Sequence, residues 1–289
     1  MKVSIYAKTD VGCGRENNED AFAFCPNLSS PQWNLNHTKG YIPLGPQGTL
    51  IIVADGMGGA NAGEVASAIA IETVKKAFSG EQLVKAAASE EAARQLLVKA
   101  IQDADEAINL KMFDNPETAG MGTTIVVCWL TAQKAFVAWC GDSRCYRYND
   151  ADGLLPLTKD HSYVQELIDR GELTVEEAFQ HPDNNIITRG LGDFDTQVQP
   201  DIAVSPIKPG DMFMLCSDGL CGYCTNEQIR GILADSKGNT EKCSEDLLRK
   251  ALEVPGDDNI CIVVASLLDD NAQEPSSSKF RQFMSKLFG

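Results

Sequence analysis

The sequence predicts an α+β fold built on mostly antiparallel strands, and two observations carry that expectation. The elements run strands, two helices, many strands, two helices, strand, which is not the regular βαβ alternation of a doubly wound parallel sheet. The apolar, β-branched runs 122–130 and 134–140 are joined only by Thr131-Ala132-Gln133, so they read as a hairpin.

The elements follow in order. Residues 2–9 and 20–25 read as strands joined by a Gly-rich turn. The loop 26–48 carries four of the twelve prolines and is an irregular excursion. A buried strand then runs into Asp55-Gly56-Met57-Gly58-Gly59. Residues 62–78 alternate small apolar and polar residues at helical spacing, and a second long helix spans about 90–111. After the hairpin, 144–148 and 154–158 continue a meander. In the polar segment 159–192, Ser162 caps a helix ending at Gly171, and Thr174 with Glu177 fits a capping box for another. Strands return at 196–204 and 211–217, helices follow at 226–234 and 243–252, and a last strand spans 259–267. There is no internal repeat.

Composition narrows the function. Of the 289 residues, 43% are apolar and 23% charged, ordinary for a soluble globular protein. No apolar run reaches the ~18 residues of a membrane span and no basic-then-apolar leader is visible, so a cytoplasmic protein is expected. The net charge of −16 argues against nucleic acid as a partner, because such binding needs a cationic surface. The ten cysteines are then expected as reduced thiols. Cys128, Cys140, Cys216 and Cys261 lie in apolar runs, and Cys221-Gly-Tyr-Cys224 has no second pair at zinc spacing.

Two Asp-Gly corners carry the chemistry. Leu50–Ala54 runs into Asp55-Gly56, and Met212–Ser217 into Asp218-Gly219, so each reads as a buried strand whose last residue is a carboxylate. An ionised buried carboxylate costs several kcal/mol unless a charge or metal compensates it, and neither Asp has a Lys or Arg beside it in sequence. A metal is the better expectation. Three more acidic spots sit at strand ends or turns: Glu19-Asp20, Asp142 and Asp258. A hard divalent cation takes such oxygen ligands, and a two-metal site needs several of them.

The set Arg15-x-x-Asn18-Glu19-Asp20, Asp55-Gly-Met-Gly-Gly59, Gly122-Thr-Thr124, Gly141-Asp-Ser-Arg144, Ser217-Asp-Gly-Leu220 and Asp258-Asn259 resembles the metal-dependent PPM-type (type 2C) serine/threonine phosphatases. The motifs stand in the family's order over residues 4–268, and Met57, Asp160-His-Ser-Tyr and His181-Pro182 look like its bacterial branch. The resemblance implies a four-layer α-β-β-α sandwich, with two central sheets flanked by antiparallel helix pairs and a flap at 159–192. Residues 1–268 would form the catalytic domain. It further implies two core Mn²⁺ or Mg²⁺ ions and a weaker third. Asp55 would bridge the core ions, with the Gly56 carbonyl on one of them. Asp218 and Asp258 would hold the first metal and Glu19 the second, with Asp20 orienting that shell and Asp142 joining Asp218 at the third. A hydroxide between the two core ions would attack phosphorus while Arg15 binds the phosphate, so Arg15, Asp55 and Asp218 are the expected catalytic residues.

The implied activity is dephosphorylation of phosphoserine and phosphothreonine in proteins, in signalling against a bacterial Ser/Thr kinase and its substrates. The alternative is a catalytically inactive phosphoprotein-binding module on the same fold. Met57 stands where the eukaryotic branch has a proton-donating His, and it cannot donate a proton. His161 is either a proton donor or a hydrogen-bonded anchor for segment 159–192, and Arg144 and Arg189 are either phosphate ligands or ion-pair partners. Cys224 and Arg230 have the spacing of a cysteine phosphatase, yet Thr225 and Gln228 form a capping box, so the segment reads as a helix start. Residues 269–278 are a polar linker. Residues 279–289 form a basic amphipathic tail, with Phe280, Phe283, Met284, Leu287 and Phe288 at helical spacing. It would dock on its own domain, on a partner protein or on an anionic membrane surface.

Overall fold

Strands whose two faces are both apolar must be covered on both sides, and this chain does so with two stacked sheets and helices outside each. The computed structural model describes residues 1–58, 62–194, 198–254, 256 and 258–272. Its strands are β1 (Lys2–Asp10), β2 (Asp20–Cys25), β3 (Ile42–Pro43), β4 (Thr49–Met57), β5 (Gly122–Thr123), β6 (Ile125–Leu130), β7 (Lys134–Cys140), β8 (Arg144–Asn149), β9 (Gly153–Pro156), β10 (Leu191–Gly192), β11 (Asp201–Pro206), β12 (Met212–Cys216) and β13 (Ile260–Leu268). Its helices are α1 (Ala62–Ala77), α2 (Gly80–Ala86), α3 (Glu90–Asp114), α4 (Tyr163–Asp169), α5 (Val175–Phe179), α6 (Asp218–Cys221), α7 (Asn226–Ser236) and α8 (Thr240–Ala251).

One sheet has the order β3-β1-β13-β12-β8-β9, and the other runs β10-β5-β4-β6-β7-β11 with β2 beside β4. The strand pairs described are antiparallel. Alternation along β4 shows the layering. Ile51 and Val53 point between the sheets to meet Val263, Phe213 and Leu215, while Leu50, Ile52 and Ala54 point outward to α1 and α3. Each buried Val, Ile, Leu or Phe among these contributes about 2 kcal/mol. On α1, Ala66, Ala70 and Val74 recur at four-residue spacing and are fully buried, so the helix can lie close to the sheet. On the other side, Ile229 and Leu233 of α7 and Leu247 of α8 cover the outer face of β12 and β13. The layers are α-β-β-α, as the resemblance implied.

Several expectations are corrected. The two Asp-Gly corners are not equivalent, and neither Asp is the last residue of a strand. β4 continues through Asp55 to Met57, because Gly56 and Met57 pair with Thr123 and Gly122 of β5. Asp218 instead opens α6 after the extended Ser217, and its carbonyl accepts a hydrogen bond from Gly222 N–H (2.6 Å). Both glycines are demanded by close approach. A Cβ on Gly56 would lie 2.2 Å from the Gly63 carbonyl oxygen, and one on Gly219 would lie 1.9 Å from that of Asn259.

The single strand expected over 122–130 is two, β5 and β6. The break falls at Thr124, whose hydroxyl rather than its carbonyl accepts the Asp55 N–H (3.1 Å). The strand expected from 196 begins at Asp201, in register with Trp139 of β7, and residues 195–197 lie outside the described residues. The short polar helix α2 and the two-residue strands β3 and β10 carry too little pattern to be read from sequence. The capping boxes at Thr174 and Thr225 and the Ser162 cap form as read. The tail 279–289 and most of the linker lie outside the described residues.

Candidate active site

Five acidic positions from distant parts of the chain meet at one edge of the sandwich because antiparallel registers bring their strand ends together. Asp20 of β2 stands directly opposite Asp55 of β4, a like-charge cross-strand pair that is destabilising by itself. Ser217 sits under this pair, donating through Oγ to Asp20 Oδ2 (2.7 Å) and accepting from Cys261 N–H (2.9 Å). Asp218 follows it on α6. Asp142 comes from the turn after β7 and is only 6% exposed. Asp258 precedes β13.

The Arg15 loop is fixed to this edge by the buried Asn259. Its Nδ2 donates to the carbonyls of Val11 (3.0 Å) and Asn17 (2.9 Å), and its Oδ1 accepts from Glu19 N–H (2.8 Å). Arg15 Nη2 lies 3.1 Å from Asp258 Oδ1, with half of its side chain exposed toward solvent. Arg15, Glu19, Asp55, Gly56, Met57, Gly58, Thr124, Asp142, Asp218 and Asp258 line one open cleft, together with Asn185 and Ile187, and its empty space of about 610 Å³ runs out into solvent.

The electrostatics are those of a site short of positive charge. Burial pushes Asp20 up to about 8 against the Ser217 hydrogen bond, with Asp218 and Asp258 adding repulsion. Burial, then Asp20, Asp218 and Asp142, hold Asp55 well above the usual carboxylate range. Burial and then Asp218 and Asp160 do the same to Asp142, while burial and Asp258 push Asp218 to about 6. Glu19 is raised by burial, with Arg15 opposing. Asp20 Oδ1 and Asp218 Oδ1 are buried without a hydrogen-bond partner. Such orphaned oxygens cost free energy unless a cation meets them. All-oxygen donors suit Mg²⁺ or Mn²⁺ over softer metals. Among the described residues no three His, Cys, Asp or Glu side chains close on one point as a ready-made metal cage does. The donors fit ions held by few direct ligands, with water completing the shell.

The other candidates resolve into structural parts. Arg144 pairs bidentately with Asp160 (Nη2–Oδ2 2.7 Å), and Arg189 pairs with Asp201 (3.2 Å). His161 is 4% exposed, and its Nδ1 accepts from Gly141 N–H (3.1 Å), so it serves as an anchor and not as a proton donor in the cleft. Cys224 is buried before the α7 capping box, and burial pushes its thiol up to about 11, the reverse of a nucleophile's requirement. Replacing it, Cys224→Ala, is expected to leave hydrolysis of a phosphothreonine peptide within about twofold of the parent. A complete loss would revive the cysteine mechanism. Sequence reasoning gave Ser217 and Asn259 no role, although both stood inside the motifs, and it missed Asn185 and Ile187, which carry no motif.

A four-layer α-β-β-α sandwich with carboxylates crowded at one sheet edge, beside an arginine, defines a class of metal-dependent phosphoester hydrolases. The family model described as "Protein phosphatase 2C" matches residues 11–260, and the chain belongs to that family. It is 33% identical over 273 residues to the protein phosphatase PhpP of Streptococcus pneumoniae, covering 94% of this chain and 100% of that one. The solved serine/threonine phosphatase Stp1 of Staphylococcus aureus superposes with a TM-score of 0.78 at 32% identity, over 92% of this chain and 95% of that one. The catalytic domain of the phosphatase PstP, solved in complex with two manganese ions, has a TM-score of 0.71 at 29% identity, over 93% of this chain and 99% of that one. No helix among the described residues is long and apolar enough to cross a membrane.

Proposed function

We propose that the chain is a cytoplasmic protein serine/threonine phosphatase that hydrolyses phosphoserine and phosphothreonine side chains and opposes a Ser/Thr kinase in signalling. One observation supports this above the rest: Asp218, buried with an orphaned oxygen, shares a cleft with Asp55, Asp142, Asp258 and an accessible arginine. Asp55, Asp218 and Asp258, with the Gly56 carbonyl and Glu19, would hold two core Mn²⁺ or Mg²⁺ ions, and Asp142 with Asp218 a weaker third. When bound, the ions supply a nucleophilic hydroxide at neutral pH and neutralise charge on the phosphoryl oxygens.

The chain's own residues do the rest. Arg15 presents two N–H donors to the phosphate dianion, held at the mouth by the Asn259 clamp and by Asp258. Ser217 holds the Asp20 carboxylate by a hydrogen bond beside Asp55, where Asp20 would orient the shell that binds the ions. Among the described residues no histidine lines the cleft, and Met57 cannot donate, so the leaving alkoxide takes its proton from water in the cleft. Residues 1–268 act as the catalytic unit, with segment 159–192 as a flap beside the site. Asp55, Asp142, Asp218 and Asp258 all face the cleft, which speaks against the inactive binding module.

The test is Mn²⁺-dependent release of phosphate from a phosphothreonine peptide. Chelation should abolish it, and Arg15→Ala should raise KM by about tenfold with a smaller change in kcat. Hydrolysis that persists in metal-free buffer would defeat the reading.

A further inference from the structure

The Asp160-His161-Ser162-Tyr163 motif has no part in the chemistry above, yet His161 makes more directed contacts than a filler of the core requires. Its imidazole lies stacked on Trp139 of β7, with ring centroids 6.0 Å apart and planes 19° apart. Nδ1 accepts from Gly141 N–H, which fixes the neutral tautomer with its proton on Nε2. That proton points to Asp201 Oδ2 (3.3 Å), on the strand paired to Trp139. The backbone joins in. His161 N–H donates to the Gly141 carbonyl (3.0 Å), and the His161 carbonyl accepts from Thr188 N–H (2.8 Å). Next along the chain, Ser162 bridges Ile187, and Tyr163 N–H donates to the Ile186 carbonyl (2.9 Å).

The consequence is geometric. Gly141 precedes Asp142 in the wall of the cleft, and Asn185 and Ile187 form another part of that wall. Both parts are tied to His161, the Gly141 side through its side chain and its backbone N–H, and the 185–188 side through its backbone carbonyl. Arg189, just beyond Thr188, closes the back of the arrangement by pairing with the same Asp201. Asn185 is exposed, and its amide can both donate and accept, as an extended peptide backbone demands.

We infer that His161 is a positioning residue that sets the spacing between the Asp142 turn and the 185–187 wall, and that Asn185 on that wall contacts the polypeptide flanking the phosphorylated residue. The inference rests on the phosphatase reading. It concerns how a phosphoprotein, whose chain extends beyond the phosphorylated side chain, is distinguished from a small phosphate ester.

The experiment compares kcat/KM for a phosphothreonine peptide with that for p-nitrophenyl phosphate, in Mn²⁺-loaded full-length protein. Asn185→Ala, at an exposed position, should lower the peptide-to-aryl ratio about fivefold through KM, as loss of about one hydrogen bond would. His161→Ala should lower it about tenfold, and His161→Asn should recover most of the loss, because its Oδ1 can accept the Gly141 N–H. Amide exchange should quicken in His161→Ala at both 141–142 and 185–188. An unchanged ratio in Asn185→Ala would overturn the peptide contact. Equal losses on both substrates without rescue by Asn, or exchange quickened on one wall only, would overturn the positioning role. A parent protein that hydrolyses neither substrate would instead overturn the phosphatase reading, and this inference with it.

Discussion

Asp218→Asn is expected to move activity and metal-free stability in opposite directions. Mn²⁺-dependent hydrolysis should fall by roughly 1,000-fold, because a neutral amide does not neutralise a cation as the carboxylate proposed as a metal ligand would. The same substitution should raise the melting temperature in chelator by about 3 °C. The physical reason is the cost the carboxylate carries in the folded chain. Burial and repulsion from Asp258 push its pKa to about 6, and its Oδ1 has no hydrogen-bond donor. An amide removes the charge and can offer an N–H to neighbouring carboxylates. Phosphate release and calorimetry in chelator are the two measurements. A variant that keeps near-parental activity, or melts several degrees lower, would contradict the assignment of Asp218 as a ligand.

The second large effect links pH to metal. Asp20 and Asp218 have folded-state pKa values of about 8 and about 6, both above the 3.8 of an unperturbed aspartate. The folded metal-free chain therefore holds protons that the unfolded chain has released. Stability from these groups is complete below about pH 4 and is lost as pH rises through 6 and then 8. A melting temperature in chelator at least about 5 °C lower at pH 8.5 than at pH 5.5 is expected. Mn²⁺ should cancel that loss, because it binds the deprotonated carboxylates, so the gap between loaded and metal-free protein should widen with pH. Thermal melts at the two pH values, with and without Mn²⁺, measure this. A metal-free melting temperature that stays flat or rises with pH would show that these carboxylates are not raised.

Much of the fold was legible because its signals are local. β4 and β12 are apolar on both faces, which only a strand buried between two layers tolerates. The helices after Ser162, Thr174 and Thr225 were marked by caps, whose hydrogen bonds lie within four residues of sequence. The two-residue strands β3 and β10 were not legible, since each exists only through its partner, β1 and β5. Likewise Asp55 was misread as a strand terminus, because glycine signals a turn locally while β5, sixty-odd residues away, extends the pairing through it.

The site divides in the same way. Sequence by itself determined the residue types and their order: acids at 19, 20, 55, 142, 218 and 258, an arginine at 15, and glycines where backbones must touch. Those are chemical requirements, and chemistry is written in side chains. Only the tertiary structure decided that Asp20 faces Asp55 across a strand pair, that Ser217 and Asn259 hold this edge together, and that His161 sits behind the cleft while Asn185 sits in it. Each of these follows from register and layer packing between segments up to some 240 residues apart, a separation at which no local pattern can specify a contact.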